Sequence, residues 1–585
     1  MRPVKKALSF VEERTGLGAL WRAALEEQIE GGPSWAHVFG SSLLVLFLVQ
    51  AATGVLLALT YTPSVDDAWS SVFYIEEKVV NGWFLRGLHS YGGQAMLLVT
   101  ALHVVQVVLY GAYKKPRELS WWLSLGAFGL ILVLLITGMR LPWDQRTYWA
   151  LLVEWNIMAA TPLVGESLQT LIAGGPTLGQ ATLTRLYTGH ALILPLLLAL
   201  VLLALRALRR RNGVGAAPWA RADRAGADVR APAFPGQTAR DVAFVLLVLA
   251  VVSLLTVDGH GVDLDAPAEP FRYYPARPEW FILPLYELRM LLPADLEMVA
   301  TLVLPGLVAG LLFGLPFLDR GEGGGLRRRI PWVLGVLLLF GGAGGLAARS
   351  MAKDAADEEH LEARAEAEAR AARSLALARS GVPPGGPLEM LRNDPMTHGR
   401  DLYRQYCASC HVLDGEGERE APDHTGFGSR QWLVNVMTAP QDEHLFGSVD
   451  LEEDMESMAD ELEEEALWEV AEHLFALGRE PQDEGVDDEM ATRGRAHFER
   501  KCMSCHWFEG DGDFMGIGGP NLSLYGSRTW IFRQIAHPQA ATQYGTLNDM
   551  PPFFDQLSDH DIRMVTAFLR LQRFETPDYA VTAPD

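Results

Sequence analysis

"RGLHSYGGQAMLLVTALHVV", residues 86–105, places His89 and His103 inside an otherwise apolar run. Ionisable side chains at membrane depth are costly and functional by default. Fourteen residues is about four helical turns, so both imidazoles share one face, roughly 21 Å apart along the axis. Two levels of one bundle core are marked. Gly40 and Gly54 on the preceding apolar stretch carry the same fourteen-residue spacing. A residue without a side chain lets a flat, bulky group approach the backbone.

Working outward, seven stretches are long and apolar enough to span a bilayer, near 36–60, 83–110, 120–140, 183–206, 240–257, 297–318 and 331–348. Basic residues follow alternate spans: Lys114, Lys115 and Arg117, then Arg206, Arg209, Arg210 and Arg211, then Arg327, Arg328 and Arg329. With Arg2, Lys5 and Lys6 at the start, all fall on one side of a seven-span bundle, the cytoplasmic side by the positive-inside rule. Everything past residue 350 then lies outside, in a bacterial periplasm. No cleavable signal is expected, because no apolar core follows "MRPVKK" directly. Residues 1–30 read instead as an amphipathic surface segment.

The chain has 585 residues and a net charge of −23, which argues against a nucleic-acid partner. Residues 351–395 form a helical, then Pro/Gly-rich linker, a semi-rigid spacer. An internal repeat follows. "CASCH" at 407–411 answers "CMSCH" at 502–506, and "GSRQW" at 428–432 answers "GSRTW" at 526–530. All four cysteines lie in the two CxxCH motifs, the signature of covalent haem attachment, so no thiol remains for a disulfide or a separate zinc site. Cys407, Cys410, Cys502 and Cys505 would carry two haem c groups, with His411 and His506 on iron. Met550 stands 44 residues past His506, and Met455 stands 44 past His411, so both are sixth-ligand candidates; Met458, a turn from Met455, is the alternative. Ten acidic side chains between residues 450 and 465 suit a basic electron carrier, although a solvated face is the plainer explanation.

The helix facing His89 and His103 carries His190. Its second histidine would fall fourteen or fifteen residues on, where Ala204 and Leu205 stand.

The segments "LVQAATGVLLALTYTPS", "RGLHSYGGQ", "YKKPRELSWW", "TGMRLPWDQRTYWA", "GQATLTRLYTGH" and "RPEWFILPLYELR" resemble, in order, cytochrome b of quinol–cytochrome c reductase (bc-type) complexes. Here both parts of that protein are fused, and the tail resembles a dihaem cytochrome c. The resemblance implies an all-α fold: a haem b-binding transmembrane bundle, then two small all-α cytochrome c domains. The expected division is 31–215 for the four-helix haem domain, 216–350 for three further spans with the PEWF loop, and 396–482 and 483–585 for the cytochrome c domains. His89 and His190 are implied as ligands of an outer haem b. His103 is implied as one ligand of an inner haem b that is five-coordinate, differently liganded or absent. Pro278, Glu279, Trp280 and Phe281 look like the quinol-pocket motif, with Glu279 as proton acceptor and Pro142 and Trp143 lining the pocket. Phe281 stands where the family usually has Tyr. No cysteine lies on the first span, which argues against the extra covalent haem of photosynthetic relatives.

The implied function is quinol oxidation in a bacterial inner-membrane, proton-translocating respiratory complex. Electrons would pass to haem b and, through a separate Rieske iron–sulfur protein, to haem c. A homodimer is implied by resemblance alone. The alternative is a non-bifurcating conduit from quinol to a periplasmic acceptor, with one working b haem.

Overall fold

A computed structural model describes residues 10, 12–16, 18, 26–159, 161–215, 230–320, 326–449, 455–506, 519–540, 542–545 and 549–575. Arg2, Lys5, Lys6 and most of the expected amphipathic segment lie outside the described residues, as does the 450–454 part of the acidic run. The chain forms two compact units, residues 1–388 and 389–585.

The first unit is helical, apart from a short antiparallel ribbon of β1 (Gln28–Glu30) and β2 (Arg230–Pro232). Its helices are α1 (Val38–Ala58), α2 (Ala68–Glu77), α3 (Gly82–Tyr110) and α4 (Glu118–Met139). Then come α5 (Gln145–Ala159), α6 (Gly165–Ala173), α7 (Gln180–Thr188) and α8 (Leu194–Asn212). The last group is α9 (Gly236–Asp258), α10 (Leu283–Leu291), α11 (Leu304–Leu318), α12 (Leu326–Asp354) and α13 (Glu358–Ser380). Among the described residues, seven helical stretches have the length and apolarity to cross a bilayer, matching the seven expected. In lipid only such internally bonded segments are affordable.

The first four spans pack as a bundle. Leu43 and Leu46 of α1, Met96, Leu97 and Val99 of α3, Ala127, Ile131 and Leu135 of α4, and Leu198 and Leu202 of α8 form one buried core. Windows of the sixth and seventh spans are only 11% and 6% buried within the chain. The fourth span is interrupted by a π-turn, Gly189–Ile193, just before Pro195. A proline without an N–H removes one rung of the ladder, and such turns concentrate at functional positions.

The stretch expected to be a solvated spacer is docked instead. Asp357 caps α13, accepting from the backbone N–H of His360. Arg370 then makes two hydrogen bonds to Glu269 at 2.8 and 2.9 Å, Arg379 reaches Glu77 at 2.8 Å, and Ser374 and Ala378 are buried. An Ala-rich helix offers a narrow face that can lie close against a neighbour while its long charged side chains reach past it.

The second unit contains α14 (Arg400–Tyr406), α15 (Arg430–Thr438), α16 (Glu464–Leu477), α17 (Asp488–Lys501), α18 (Arg528–Ala536) and α19 (Asp559–Leu571). Both repeats contribute to a single apolar core, from Leu402 and Trp432 in the first to Trp530 and Phe568 in the second. Ser429 and Ser527 cap α15 and α18 in the same way, accepting from the N–H of Trp432 and Trp530.

Candidate haem and quinol sites

His89 on α3 and His190 in the π-turn face each other across the bundle, with ring centroids 6.1 Å apart and planes at 80°. Two metal–imidazole bonds of about 2.0 Å each set the facing nitrogens roughly 4 Å apart, and the ring half-widths supply the remainder. A metal centre therefore fits between them. The hydrogen bonds fix which nitrogen would face it. Thr53 spends its hydroxyl proton on the Val49 carbonyl at 2.8 Å, so its oxygen accepts from His89 Nδ1 at 2.9 Å. Thr137 donates likewise to Val133 at 2.8 Å, while His190 Nδ1 donates to the Leu134 carbonyl at 3.0 Å. With protons held on Nδ1, both Nε2 atoms would be left to hold a metal, the usual outer-shell arrangement for ligating imidazoles.

A glycine backs each ring. A Cβ on Gly54 would stand 3.1 Å from His89 Cε1, and one on Gly138 would stand 2.4 Å from His190 Cε1. Gly138, Thr53 and Thr137 were not singled out from the sequence. The signal was present: Thr-Gly occurs at 53–54 and again at 137–138, on the two spans that back the two imidazoles.

The inner level is one-sided. Gly40 lies beside His103, 3.8 Å from its Cε1 to the position of a Cβ. Leu205, where the matching histidine was expected, packs instead against the apolar core.

Beyond Gly138 the chain delivers Arg140, which is 1% exposed. Its guanidinium holds Glu279 through two hydrogen bonds at 2.5 and 2.8 Å, and Glu154 through two at 2.7 and 3.3 Å. One planar fork thus clamps two carboxylates, the geometry for which Arg is suited. Burial raises the Glu154 carboxyl, with Arg140 opposing it, and the balance leaves it above the ordinary range. The same two carboxylates keep Arg140 firmly protonated against its own burial. Neither Arg140 nor Glu154 was picked out from the sequence, because a lone charge next to an apolar run reads as an interfacial anchor.

Pro142 and Trp143 follow at once. Trp143 is buried at φ 53°, edge-on to Tyr148 at 5.6 Å, and its carbonyl accepts from the Ala268 N–H at 3.2 Å. A non-glycine residue held at positive φ stores strain that the surroundings must over-determine. Asp144 helps, binding Thr147 and Asp265 backbone N–H groups at 2.9 and 3.2 Å. Pro278 precedes Glu279, whose carbonyl starts the turn into α10. Trp280 donates to Gln94 on α3 at 2.8 Å, and Phe281 packs against the bundle core. The tertiary fold therefore brings the PEWF and LPWD segments together at the level of His190.

In the second unit each CxxCH histidine points Nδ1 at a proline carbonyl: His411 to Pro422 at 2.8 Å and His506 to Pro520 at 3.2 Å. Burial lowers both imidazoles, favouring the neutral form that binds metal. Burial pushes the Cys407 thiol up to about 12 and the Cys502 thiol to about 11. A Cβ on Gly519 would lie 2.8 Å from the His506 ring, again a glycine backing a ligand. None of the four cysteines is paired in a disulfide. Met455 and Met550 are half-buried against the shared core.

Both units resemble known proteins. Residues 31–212 match the family described as Cytochrome b/b6/petB, and residues 394–474 and 489–569 match the family described as cytochrome c oxidase, cbb3-type, subunit III. Cytochrome b of Allochromatium vinosum is 32% identical over 358 residues, covering 57% of this chain and 85% of the relative. Cytochrome b6 of Porphyra purpurea is 37% identical over 216 residues, covering 36% of this chain and 98% of the relative. A solved structure of a hyperthermophilic respiratory Complex III has a TM-score of 0.52 at 27% identity, covering 58% of this chain and 90% of that one. The chain belongs to the cytochrome b family: it is a multi-pass membrane electron-transport protein whose haem-binding cytochrome b part continues into cbb3-type cytochrome c domains.

Proposed function

We propose that this chain is the fused cytochrome b/c subunit of a quinol:cytochrome c oxidoreductase. The observation that carries it is the clamp of Glu279 by Arg140, two residues beyond the glycine that backs His190. Quinol oxidation must release two protons and two electrons at one place, and here a carboxylate acceptor stands at the level of the outer imidazole pair. The haems supply one-electron acceptance when bound. His89 and His190 would hold the outer haem b. Cys407, Cys410 and His411, and Cys502, Cys505 and His506, would hold two covalent c haems, each completed by a methionine.

Glu279 accepts a proton from the quinol hydroxyl. Arg140 keeps that carboxylate oriented and available, and Glu154 on the other side of the same guanidinium offers a second place for a proton. Trp143 and Pro142 form a stiff, apolar wall that keeps water from the bound ring, and Trp280 and Phe281 continue it. A Rieske iron–sulfur protein is supplied as a separate subunit, since all four cysteines are committed to the two CxxCH motifs. The distribution of Lys and Arg supports an inner-membrane orientation with a cytoplasmic N-terminus and periplasmic cytochrome c part. A homodimeric complex is part of the same proposal, as are the divisions given above, with the two cytochrome c repeats built on one shared core. A basic electron carrier suits the acidic outer face.

Leu205 supports a second reading, a conduit that delivers quinol electrons outward with one working b haem. The purified complex tests both. Quinol-dependent reduction of a cytochrome c acceptor, with haem count and reduced-minus-oxidised spectra, should show an inhibitor-sensitive reaction that Glu279→Gln depresses. Two b haems per chain would sustain the cycle and one would favour the conduit. Full turnover in Glu279→Gln would remove the quinol assignment.

A further inference from the structure

The second unit is built by reciprocal exchange between its two repeats. Gly399 and Gly494 occupy equivalent positions, 95 residues apart, just ahead of or within the helix that leads to each CxxCH motif. A Cβ on Gly399 would meet the Met564 carbonyl of α19 at 2.4 Å, and one on Gly494 would meet the Glu469 carbonyl of α16 at 1.8 Å. Met564 and Glu469 are themselves 95 residues apart. The same helix crossing is thus made twice, each time with the other repeat's closing helix.

The flanking contacts agree. His398 pairs with Asp561 at 2.8 Å, Tyr403 meets Phe568 edge-on at 5.8 Å, and Tyr406 meets Phe553 at 6.4 Å. Reciprocally, His497 pairs with Glu469 at 3.3 Å, Phe498 meets His473 at 5.6 Å, and Lys501 reaches Glu461 at 2.5 Å. The chains part at the GSR segments. Trp432 and Trp530, which close these segments, still bond to their own repeats, at the carbonyls of Asp423 and Asn521 ahead of them. There Phe427 and Tyr525 lie side by side at 6.3 Å.

The backbone also settles the methionine register. Met458 N–H donates to the Met437 carbonyl at 2.7 Å, and Phe553 N–H to the Ile535 carbonyl at 3.2 Å. Glu461 and Gln556 then close the same turn on Met458 and Phe553. Met458 is therefore the counterpart of Phe553, a packing residue, and Met455 is the counterpart of Met550.

We propose that each c haem is completed by the other repeat: the haem on Cys407, Cys410 and His411 takes Met550, and the haem on Cys502, Cys505 and His506 takes Met455. Tyr406, which immediately precedes Cys407, touches Phe553, three residues past Met550. Lys501, which immediately precedes Cys502, touches Glu461, six residues past Met455. Segments of three to six residues reach about 10–20 Å, enough to carry each sulfur over the neighbouring haem. The pairing depends on haem being attached at the two motifs and is independent of the quinol assignment. Its consequence is that neither repeat can hold a six-coordinate haem alone.

Spectroelectrochemistry of the full chain separates the possibilities. Cys407→Ala leaves the first haem on one thioether, with an unreacted vinyl group whose longer conjugation shifts its absorption to the red and so marks it. In that background Met550→His should lower the midpoint of the marked haem, and Met455→His that of the unmarked one, since exchange of Met for His lowers the potential. Met550→His acting on the unmarked haem, or on neither, overturns the pairing. A second measurement needs no variant: zero-length carbodiimide coupling of the purified native chain should join Lys501 to Glu461 in the peptide map. A map in which Lys501 couples only within its own repeat overturns it as well.

Discussion

Replacing Arg140 with Leu removes the cation from between two carboxylates. Arg140 is 1% exposed, and the Glu154 and Glu279 side chains are 18% and 16% exposed. Breaking a buried pair by removing one partner costs about 3–5 kcal/mol. Residual solvent at both carboxylates places this site at the low end, about 3 kcal/mol, which equals roughly two pH units for a group that must titrate against it. The sign is fixed by charge. The guanidinium favours ionised carboxylates, and without it the two repel, so the site retains a proton to higher pH. Quinol oxidation requires an unprotonated acceptor, so its acid limb should move up by about two pH units, with activity lost near neutrality and recovered in alkali. Arg140→Lys keeps the charge but not the fork and should fall between. The assay is quinol-dependent cytochrome c reduction by the purified complex from pH 5 to 10, normalised to haem b content. An acid limb at the native pH in Arg140→Leu with full haem content would refute the clamp.

Gly138→Ala sets a methyl 2.4 Å from His190 Cε1 and should abolish the outer haem b spectrum, whereas Gly54→Ala, at 3.1 Å from His89, should only broaden or shift it. Leu205→His should add a second low-spin haem b signal on His103, read in reduced-minus-oxidised spectra and haem count; an unchanged count would show that the inner level cannot accept haem even with both ligands. Gly494→Ala drives a methyl into the Glu469 backbone and should destabilise the whole second unit by about 1–3 kcal/mol, with both c haems responding in one transition because the core is shared. Separate transitions for the two c haems would contradict that shared core.

Much of this molecule is local in its chain. Seven apolar stretches declare spans because a bilayer demands about twenty such residues. His89 and His103 declare two levels because helical periodicity puts them on one face, and CxxCH declares haem attachment within five consecutive residues. The pairing of His89 with His190 was implied by the family resemblance and not by local periodicity; the two rings lie 6.1 Å apart. What stayed hidden depends on distances between segments far apart in sequence. Arg140 and Glu279 are 139 residues apart, and nothing in either segment announces that one guanidinium will hold Glu279 and Glu154 together. Residues 358–380 look like a free spacer, because an Ala, Glu and Arg helix is equally at home in water; only Glu269 and Glu77, waiting elsewhere, dock it. The repeat predicted two cytochrome c domains, yet a repeat encodes complementary helix faces and not which copy pairs with which. Each repeat carries one such crossing glycine and one closing helix. The choice between them belongs to the three-dimensional packing of the whole unit, where one shared core lets the exchanged pairs form together.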